Sequence, residues 1–561
     1  MAVQTPQPAG EGRRHHPHRL RPPRRVLRVR RHLRGHRRSG LGGNGQRQDG
    51  THRRRRHPAR GVRGHVLPHA HAGLRQPQSG NLPVPAPGRG TERRCPVKPV
   101  DPAHNALAFL ADPDHVKAFD TLIWGLRERR DAAARDVPEW EELRTLASQI
   151  KEHTLTHLGH YLEMFEERAV ANGATVHWAR DADEHNRIVH DILAEHHVTH
   201  LAKSKSMLTE ECDLRPFLEE RGIQITETDL GERIQQLDDQ PPSHIVGPAF
   251  QKTPAQVAEL FGRVYGSDPQ RADPVYLAHV MREHTRPLML EAQAGMTGAN
   301  FALAETGAIV TVTNEGNADL SANIPPLRIC SVGIEKIIPG PAELAVFIRL
   351  LTRSATGERI TQYTSHFAKP RDGGEMHIVL VDNGRSARLA DEQFWSSLKC
   401  IRCGACMNTC PVYRRSGGLA YGATYMGPIG LITMPATDIR RYHELPYACS
   451  LNGSCTNVCP VEINIHDQIY QWREVMEDQD QFSTIKKAAM KVADTVLRHP
   501  RTYRVATEAG MAALKVAPDF ALYNRLNAWG RHRDLPEPSR ETFHQWYART
   551  RSRSDADDAG T

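Results

Sequence analysis

The sequence predicts an α/β fold with a mostly parallel sheet, followed by a cysteine-rich segment and a helical tail. Three observations predict it. Short β-branched runs alternate with helical periods between residues 174 and 385. Two dense cysteine runs follow, at 400–410 and 449–459. Apolar residues then recur at helical steps through the last ninety residues, with no strand pattern.

The chain has 561 residues and a formal net charge of +9, enough length for two to four domains. That charge is unevenly spread. Residues 1–100 carry 23 Arg and one Lys against three acidic residues, a net of +21. The remainder carries 50 basic and 62 acidic residues, a net of −12, so the basic total is no argument for nucleic-acid binding. The first hundred residues contain no Ile, Phe, Tyr or Trp. Such a segment cannot bury enough apolar surface to offset chain entropy. Its Arg/Pro/Gly/His-rich runs resemble out-of-frame translation of GC-rich DNA. The expectation is therefore a disordered or mistranslated segment over 1–97, with the true start near Val97–Asp101. No apolar stretch follows the basic start as in a secretory signal, and no run of 18 apolar residues occurs. A cytoplasmic location is expected.

From Pro99 the composition is that of a folded protein. Residues 103–172 read as helices, ended by Gly173. ATVHWA (174–179) reads as a strand, RIVHDILAEHH as a helix, VTHLAKS as a strand, LRPFLEERG as a helix and IQITETD as a strand. HIVGPAF (244–250) reads as another strand before the helix TPAQVAELFGRVYG. Residues 273–294 form a longer helix. FALAETGAIVTVTNEG reads as two strands with a turn, ICSVGIEKIIP as a strand, PAELAVFIRLLTR as a helix and MHIVLVDNG as the last strand.

Three stretches inside this region could carry chemistry. KSKS (Lys203–Ser206) falls where a strand ends and a helix is due, a place that favours anions; a lysine-rich loop with a capping serine reads equally well. In AETGAIVTVTNEG, Asn314–Gly316 is turn chemistry, and Glu305 is a candidate base. GMTGANF (295–301) reads as a glycine-punctuated loop and lacks a dinucleotide fingerprint.

The cysteines are more specific. CIRCGACMNTCP places Cys400, Cys403, Cys406 and Cys410 before Pro411, the C-x2-C-x2-C-x3-C-P run of bacterial ferredoxins. Three thiolates two residues apart can wrap one corner of a cubane, and the fourth reaches the other cluster. Zinc is the rival reading, although zinc sites usually pair two C-x2-C knuckles. CSLNGSCTNVCP repeats the run as Cys449, Cys455 and Cys459, with Asn452 where a cysteine is due. The crossover rule assigns Cys400, Cys403, Cys406 and Cys459 to one cluster, and Cys410, Cys449 and Cys455 to the other. Two iron–sulfur clusters are expected, the first 4Fe-4S and the second 4Fe-4S or 3Fe-4S. Cys95, Cys212 and Cys330 fall outside the pattern and read as buried or free thiols. The intervening RRSGGLAYGATYMGPIGLITMP reads as irregular loop plus a helix.

Residues 471–561 read as a charged helical region. Phe543, Trp546 and Tyr547 are expected to pack onto their own domain, and RSRSDADDAGT to be disordered.

The order AETGAIVTVTNEGNADL, CIRCGACMNTCPVYR, GGLAYGATYMGPIG, LPYACSLNGSCTNVCPVEINIHDQI resembles the lactate utilization protein B family over roughly residues 100–550. ETDLGERIQQLDDQPPSHIVGPAFQKT (227–253) also resembles the family's LUD domain. The resemblance implies an α/β LUD domain related to ribose-5-phosphate isomerase and CoA-transferases. A ferredoxin-like two-cluster domain and a helical C-terminal region would follow. The expected divisions are 98–385, 386–475 and 476–561. The resemblance further implies an iron–sulfur electron-transfer subunit of a system oxidising L-lactate to pyruvate. Its companions would be a cysteine-rich iron–sulfur protein and a second LUD protein, with L-lactate or a related small carboxylate as ligand. Asn452 departs from the motif of many relatives and leaves the second cluster's ligation open. The alternatives are a hydroxy-acid oxidoreductase with its substrate site in the α/β domain, and a structural or redox-sensing metal-cluster protein. The absence of any DNA-binding pattern in residues 101–561 opposes the sensor.

Overall fold

A computed structural model describes residues 98–479, 484–524 and 537–558. The basic segment 1–97, with Cys95, lies outside the described residues. The chain divides into two compact units, one ending at Arg473 and one beginning at Glu474. The α/β region and the cysteine runs share the first unit.

Four helices lead in: α1 (Pro102–Leu110), α2 (Pro113–Arg135), α3 (Trp140–Thr156) and α4 (Leu158–Ala171). Asp101 and Asp112 cap the first two by accepting N–H bonds from His104 and His115. One face of α2 buries Val116, Phe119, Ile123 and Leu126. It packs on the helices Ala405–Thr409 and Pro411–Ser416, so this lead-in supports the cysteine segment.

The six-stranded sheet has the order β1-β10-β7-β4-β2-β3 and is parallel throughout. Its strands are β1 (Thr175–Ala179), β2 (His200–Lys203), β3 (Gln224–Glu227), β4 (Ala294–Gly298), β7 (Leu327–Gly333) and β10 (Glu375–Val381). The central strands are apolar on both faces, as a sheet covered on both sides requires. In β7, Leu327 and Ile329 enter one hydrophobic core while Cys330 and Val332 enter the other. In β10, Val379 and Val381 face the first core and Ile378 and Leu380 the second. Cys330 and Cys212 are thus buried core thiols, as the sequence suggested. A smaller sheet, β8-β5-β6-β9, joins β5 (Phe301–Leu303), β6 (Ala308–Thr313), β8 (Ile337–Ile338) and β9 (Tyr363–Phe367).

Three expectations are corrected. GMTGANF is not a loop: its first residues complete β4. A Cβ on Gly295 would stand 1.7 Å from the Ser321 carbonyl, so glycine is there for close packing of a buried strand rather than for a turn. HIVGPAF is not a strand but an irregular loop. The buried His244 ring turns the chain there, because Nδ1 accepts from the N–H of both Val246 (3.0 Å) and Gly247 (3.1 Å). The helix Phe543–Asp558 runs through most of the segment expected to be disordered. Its aromatics Phe543, Trp546 and Tyr547 touch one another and stay exposed.

Strands β1 and β10 also bring His177 Nε2 within 3.0 Å of His377 Nδ1. Burial first, and the neighbouring imidazole second, push His177 down to about 4. Between its unfolded value near 6.5 and about 4, the unfolded chain binds a proton that the native chain refuses. That contribution to stability is present above pH 6.5 and fades as pH falls toward 4. The variant H177Q should show a smaller loss of urea midpoint between pH 7 and pH 5 than the wild-type chain, read by tryptophan fluorescence. Separately, G295A should lower the midpoint severely or leave no folded protein, because a backbone carbonyl fills the only space for its methyl.

Candidate metal centre

Both cysteine runs fold by the same local rule. Cys400 is followed two residues later by Arg402 at φ 62° and then by Gly404 at φ 79°. Cys449 is followed by Leu451 at φ 54° and Gly453 at φ 75°. Each left-handed residue turns its N–H back onto the sulfur: Arg402 donates to Cys400 Sγ at 3.4 Å and Leu451 to Cys449 Sγ at 3.3 Å. A short helix then begins in each run, Ala405–Thr409 and Ser454–Asn457. The two helices lie against each other, with a hydroxyl bond between Thr409 and Ser454.

This correspondence sets Asn452 opposite Cys403. Cys403 is buried and its sulfur accepts the N–H of Ala405. Asn452 is exposed, and its Oδ1 accepts the N–H of Ser454 at 3.1 Å. The asparagine keeps the local hydrogen bond of the turn and does not present a thiol.

The last cysteine of each run stands apart from the others. Cys410 has extended backbone (φ −76°, ψ 118°), starts the helix Pro411–Ser416, and its sulfur accepts the N–H of Tyr413 at 3.5 Å. Cys459 Sγ accepts from Ile463 at 3.4 Å. Cys400, Cys403, Cys406 and Cys459 line one small cavity, walled by isoleucines 245, 401, 429, 463 and 465. Cys410 and Cys455 both feel the charge of Cys449, so these three lie near one another. Cys406 also feels Cys455, so the groups are neighbours.

Burial is the largest influence on these thiols. It pushes Cys403 and Cys455 up to about 12, and Cys410 and Cys459 up to about 11. The N–H bonds to sulfur act in the opposite direction, favouring thiolate. A metal must displace those protons when it binds.

Spacing discriminates between metals. A tetrahedral zinc with bonds of about 2.3 Å holds its sulfurs about 3.8 Å apart. Among the described residues, groups of three ligand atoms lying within 4.8 Å of one another occur twice, and neither contains a cysteine. No three of the described thiols therefore lie as close together as one zinc ion would hold them. An all-thiol donor set in an apolar wall suits iron–sulfur chemistry.

Arginines hold the loops by their carbonyls. Arg144 donates to Cys459 O (3.1 and 2.9 Å) and Asn457 O (2.9 Å), and Arg130 to Val458 O at 3.1 Å. Arg473 donates to Cys449 O at 2.7 Å and Pro446 O at 3.0 Å. His244 closes the α/β side: its Nε2 lies 3.1 Å from Asn408 Oδ1, while Asn408 Nδ2 donates to Ala355 O at 3.0 Å. Burial lowers His244 to about 4, and Nδ1 already accepts two backbone N–H groups, so the neutral Nε2–H tautomer satisfies every partner. No spacing motif marked His244, because its partner lies 164 residues away.

The α/β candidates divide. Lys203 does not face an anion site. It is fully buried among carboxylates, 2.8 Å from Glu227, 3.2 Å from Glu210 and 3.6 Å from Glu232. Ser206 caps the helix Met207–Glu211, and Lys205 reaches a cavity of about 240 Å³. Glu305 is exposed in the β5–β6 turn with its carboxylate against Gly340, and it does not line that cavity.

Residues 162–386 match the LUD domain, 396–463 the 4Fe-4S dicluster domain, and 465–552 the C-terminal region of lactate utilisation protein B. The lactate utilization protein B of Geobacillus kaustophilus is 42% identical over 432 residues, covering 75% of this chain and 90% of its own. Those of Exiguobacterium sp. and Bacillus velezensis are 40% and 39% identical, covering 92% and 91% of their own lengths. The chain belongs to the lactate utilization protein B family. It is an iron–sulfur protein of lactate utilization with a 4Fe-4S dicluster domain behind its LUD domain. Among solved structures, a DUF162 family protein from Deinococcus radiodurans is similar over 40% of this chain and 98% of its own. Its identity is 13% and its TM-score 0.23. No helix of the described residues is long and apolar enough to cross a membrane.

Replacing His244 with alanine should leave the N–H groups of Val246 and Gly247 and the Asn408 Oδ1 without partners. At roughly 1–3 kcal/mol for each buried polar group orphaned, the urea midpoint should fall clearly. Far-UV circular dichroism below the transition should stay unchanged.

Proposed function

We infer that this chain is the iron–sulfur electron-transfer subunit of a multi-protein system that oxidises L-lactate to pyruvate. The observation that carries this is the pair of neighbouring cysteine groups, each drawing its last thiol from the other run. In this reading Cys400, Cys403, Cys406 and Cys459 hold a 4Fe-4S cluster. Cys410, Cys449 and Cys455 hold the second, either 4Fe-4S with one non-thiolate position or 3Fe-4S. The clusters, when bound, accept and release electrons singly. The chain's own residues set the conditions. The isoleucine wall excludes water from the first group, and the N–H donors to sulfur stabilise its charge. Both features move a cluster's reduction potential. The groups differ in donor set, four thiols against three, so two distinct potentials are expected.

The reading extends to a cytoplasmic assembly with a cysteine-rich iron–sulfur protein and a second LUD protein. It also places the LUD fold with ribose-5-phosphate isomerase and CoA-transferases, and takes 98–385, 386–475 and 476–561 as working divisions. A hydroxy-acid oxidoreductase with its substrate in the LUD domain is the second reading. It is favoured by a cavity at the strand ends that reaches Cys403. Glu305 is no base for that cavity, which it does not line.

The test is anaerobic purification of the chain, iron and sulfide counts, and EPR before and after dithionite. The expected outcome is a four-iron signal on reduction together with a three-iron signal as isolated. The N452C variant should retain more iron and lose the three-iron signal. Two interacting four-iron signals in the wild-type chain would mean that another ligand completes the second group. Zinc without iron, surviving a reconstitution attempt, would overturn the electron-transfer reading.

A further inference from the structure

The cavity of about 240 Å³ opens at the carboxyl ends of β2, β4 and β7, beside Ser204, Gly298 and Gly333. In the sheet order β1-β10-β7-β4-β2-β3, the chain runs outward from β2 to β3 and then returns to β4. The switch point therefore falls between β2 and β4, the place where open α/β sheets bind ligands. Both glycines make room. A Cβ on Gly298 would stand 2.7 Å from Ser206 Oγ, and one on Gly333 2.2 Å from Glu335 Oε2.

Four cations line this space: Lys205, Lys336, Arg385 and Arg402. Two are engaged. Arg385 donates twice to Glu211 at 2.9 Å and once to Glu335 at 2.5 Å, while Lys205 Nζ donates to Val246 O at 2.6 Å. The other two are not. Arg402 lies over the Tyr425 ring at 4.1 Å, and its buried Nη1 has no hydrogen-bond partner. Lys336 forms no ion pair among the described residues, since the adjacent Glu335 carboxylate is held by Arg385. The other lining carboxylates are engaged locally. Asp229 caps its own helix, Glu315 accepts from Thr313, and Glu358 accepts from Asn314 at 2.7 Å. Both groups feel the Glu335 charge without an ion pair to it, and the buried Arg402 Nη1 is left without an acceptor, which is costly. The same cavity shares Ile245, Arg402 and Cys403 with the cavity of the first cysteine group.

We propose that this cavity is a binding site for a short-chain hydroxy or oxo monocarboxylic acid, with its carboxylate on Arg402 and Lys336. Arg402 offers a planar two-point fork and Lys336 a point charge, a pairing suited to one carboxylate. The volume lies below the range of pockets for drug-sized ligands, which favours a small acid over a nucleotide. The wall through Cys403 places the bound acid directly beside the first cysteine group. This proposal rests on the electron-transfer reading for its acid, and on the cavity alone for its site.

The test uses the full chain, prepared anaerobically with its iron content measured, and titrated calorimetrically with L-lactate, pyruvate, propionate and inorganic phosphate. L-lactate or pyruvate should bind saturably, more tightly than propionate or phosphate. K336M should weaken that binding at least tenfold with iron content and visible spectrum unchanged, and R402K should weaken it at least tenfold per iron-loaded chain. R263M, at an arginine paired with Asp238 on the surface, should bind as the wild type does. No saturable acid binding by iron-replete chain would overturn the site and leave the electron-transfer reading standing. So would tighter binding of phosphate. Variants that bind normally but shift a reduction potential would also overturn it, because Arg402 and Lys336 would then be counter-charges for the cysteine group. Loss of iron from the wild-type chain would instead count against the electron-transfer reading.

Discussion

The first unit depends on one crossing. Cys459 shares a cavity with Cys400, Cys403 and Cys406 of the other run, and Cys410 feels the charge of Cys449. Neither group is complete until both runs are in register, although they start 49 residues apart. Much of the surrounding structure holds that register. Three arginines clamp loop carbonyls, α2 backs the two helices of the first run, and Trp472 stacks on Phe394 at 4.3 Å while donating to Ile432 O. Hydrogen bonds from cations to carbonyls suit this task, because each fixes backbone without adding a side chain to the thiol cavities.

The same crossing explains how Asn452 is accommodated. The turn of each run is built by left-handed residues and by an acceptor that takes the N–H two residues on. A cysteine sulfur does this in the first run and an asparagine oxygen in the second. Asparagine readily accepts its own backbone N–H in such turns. The fold of the run therefore does not require a thiol at this position.

The α/β region is joined to the thiols and does not merely precede them. His244 locks an irregular loop against Asn408, and that loop supplies Ile245 and Val246 to the wall between strand ends and cysteines. Lys203 and Arg385 show two ways of burying charge beside this wall. Lys203 gathers three carboxylates and Arg385 two, each group being charge-balanced or acidic, so neither cation is available to a ligand. Arg402 differs because its place two residues after Cys400 commits its backbone, not its guanidinium, to the sulfur.

The sequence by itself determined the parallel α/β region, the cysteine pattern, the odd position of Asn452 and the family. Each is written in local spacing: period-two and period-3.6 burial, or cysteines two and three residues apart. It misread two glycine-rich or loop-like stretches because β4 owes its glycine to Ser321 and the 244–250 loop owes its turn to a histidine ring. KSKS was located correctly at a strand end, yet tertiary structure gave Lys203 to buried carboxylates and only Lys205 to the cavity. Glu305 looked chemical by its neighbours in sequence and lies in an exposed turn. Which charged groups are engaged and where the cavity meets the cysteines were decided only by tertiary structure. Those facts depend on side chains brought together across more than a hundred residues, and no local spacing encodes them.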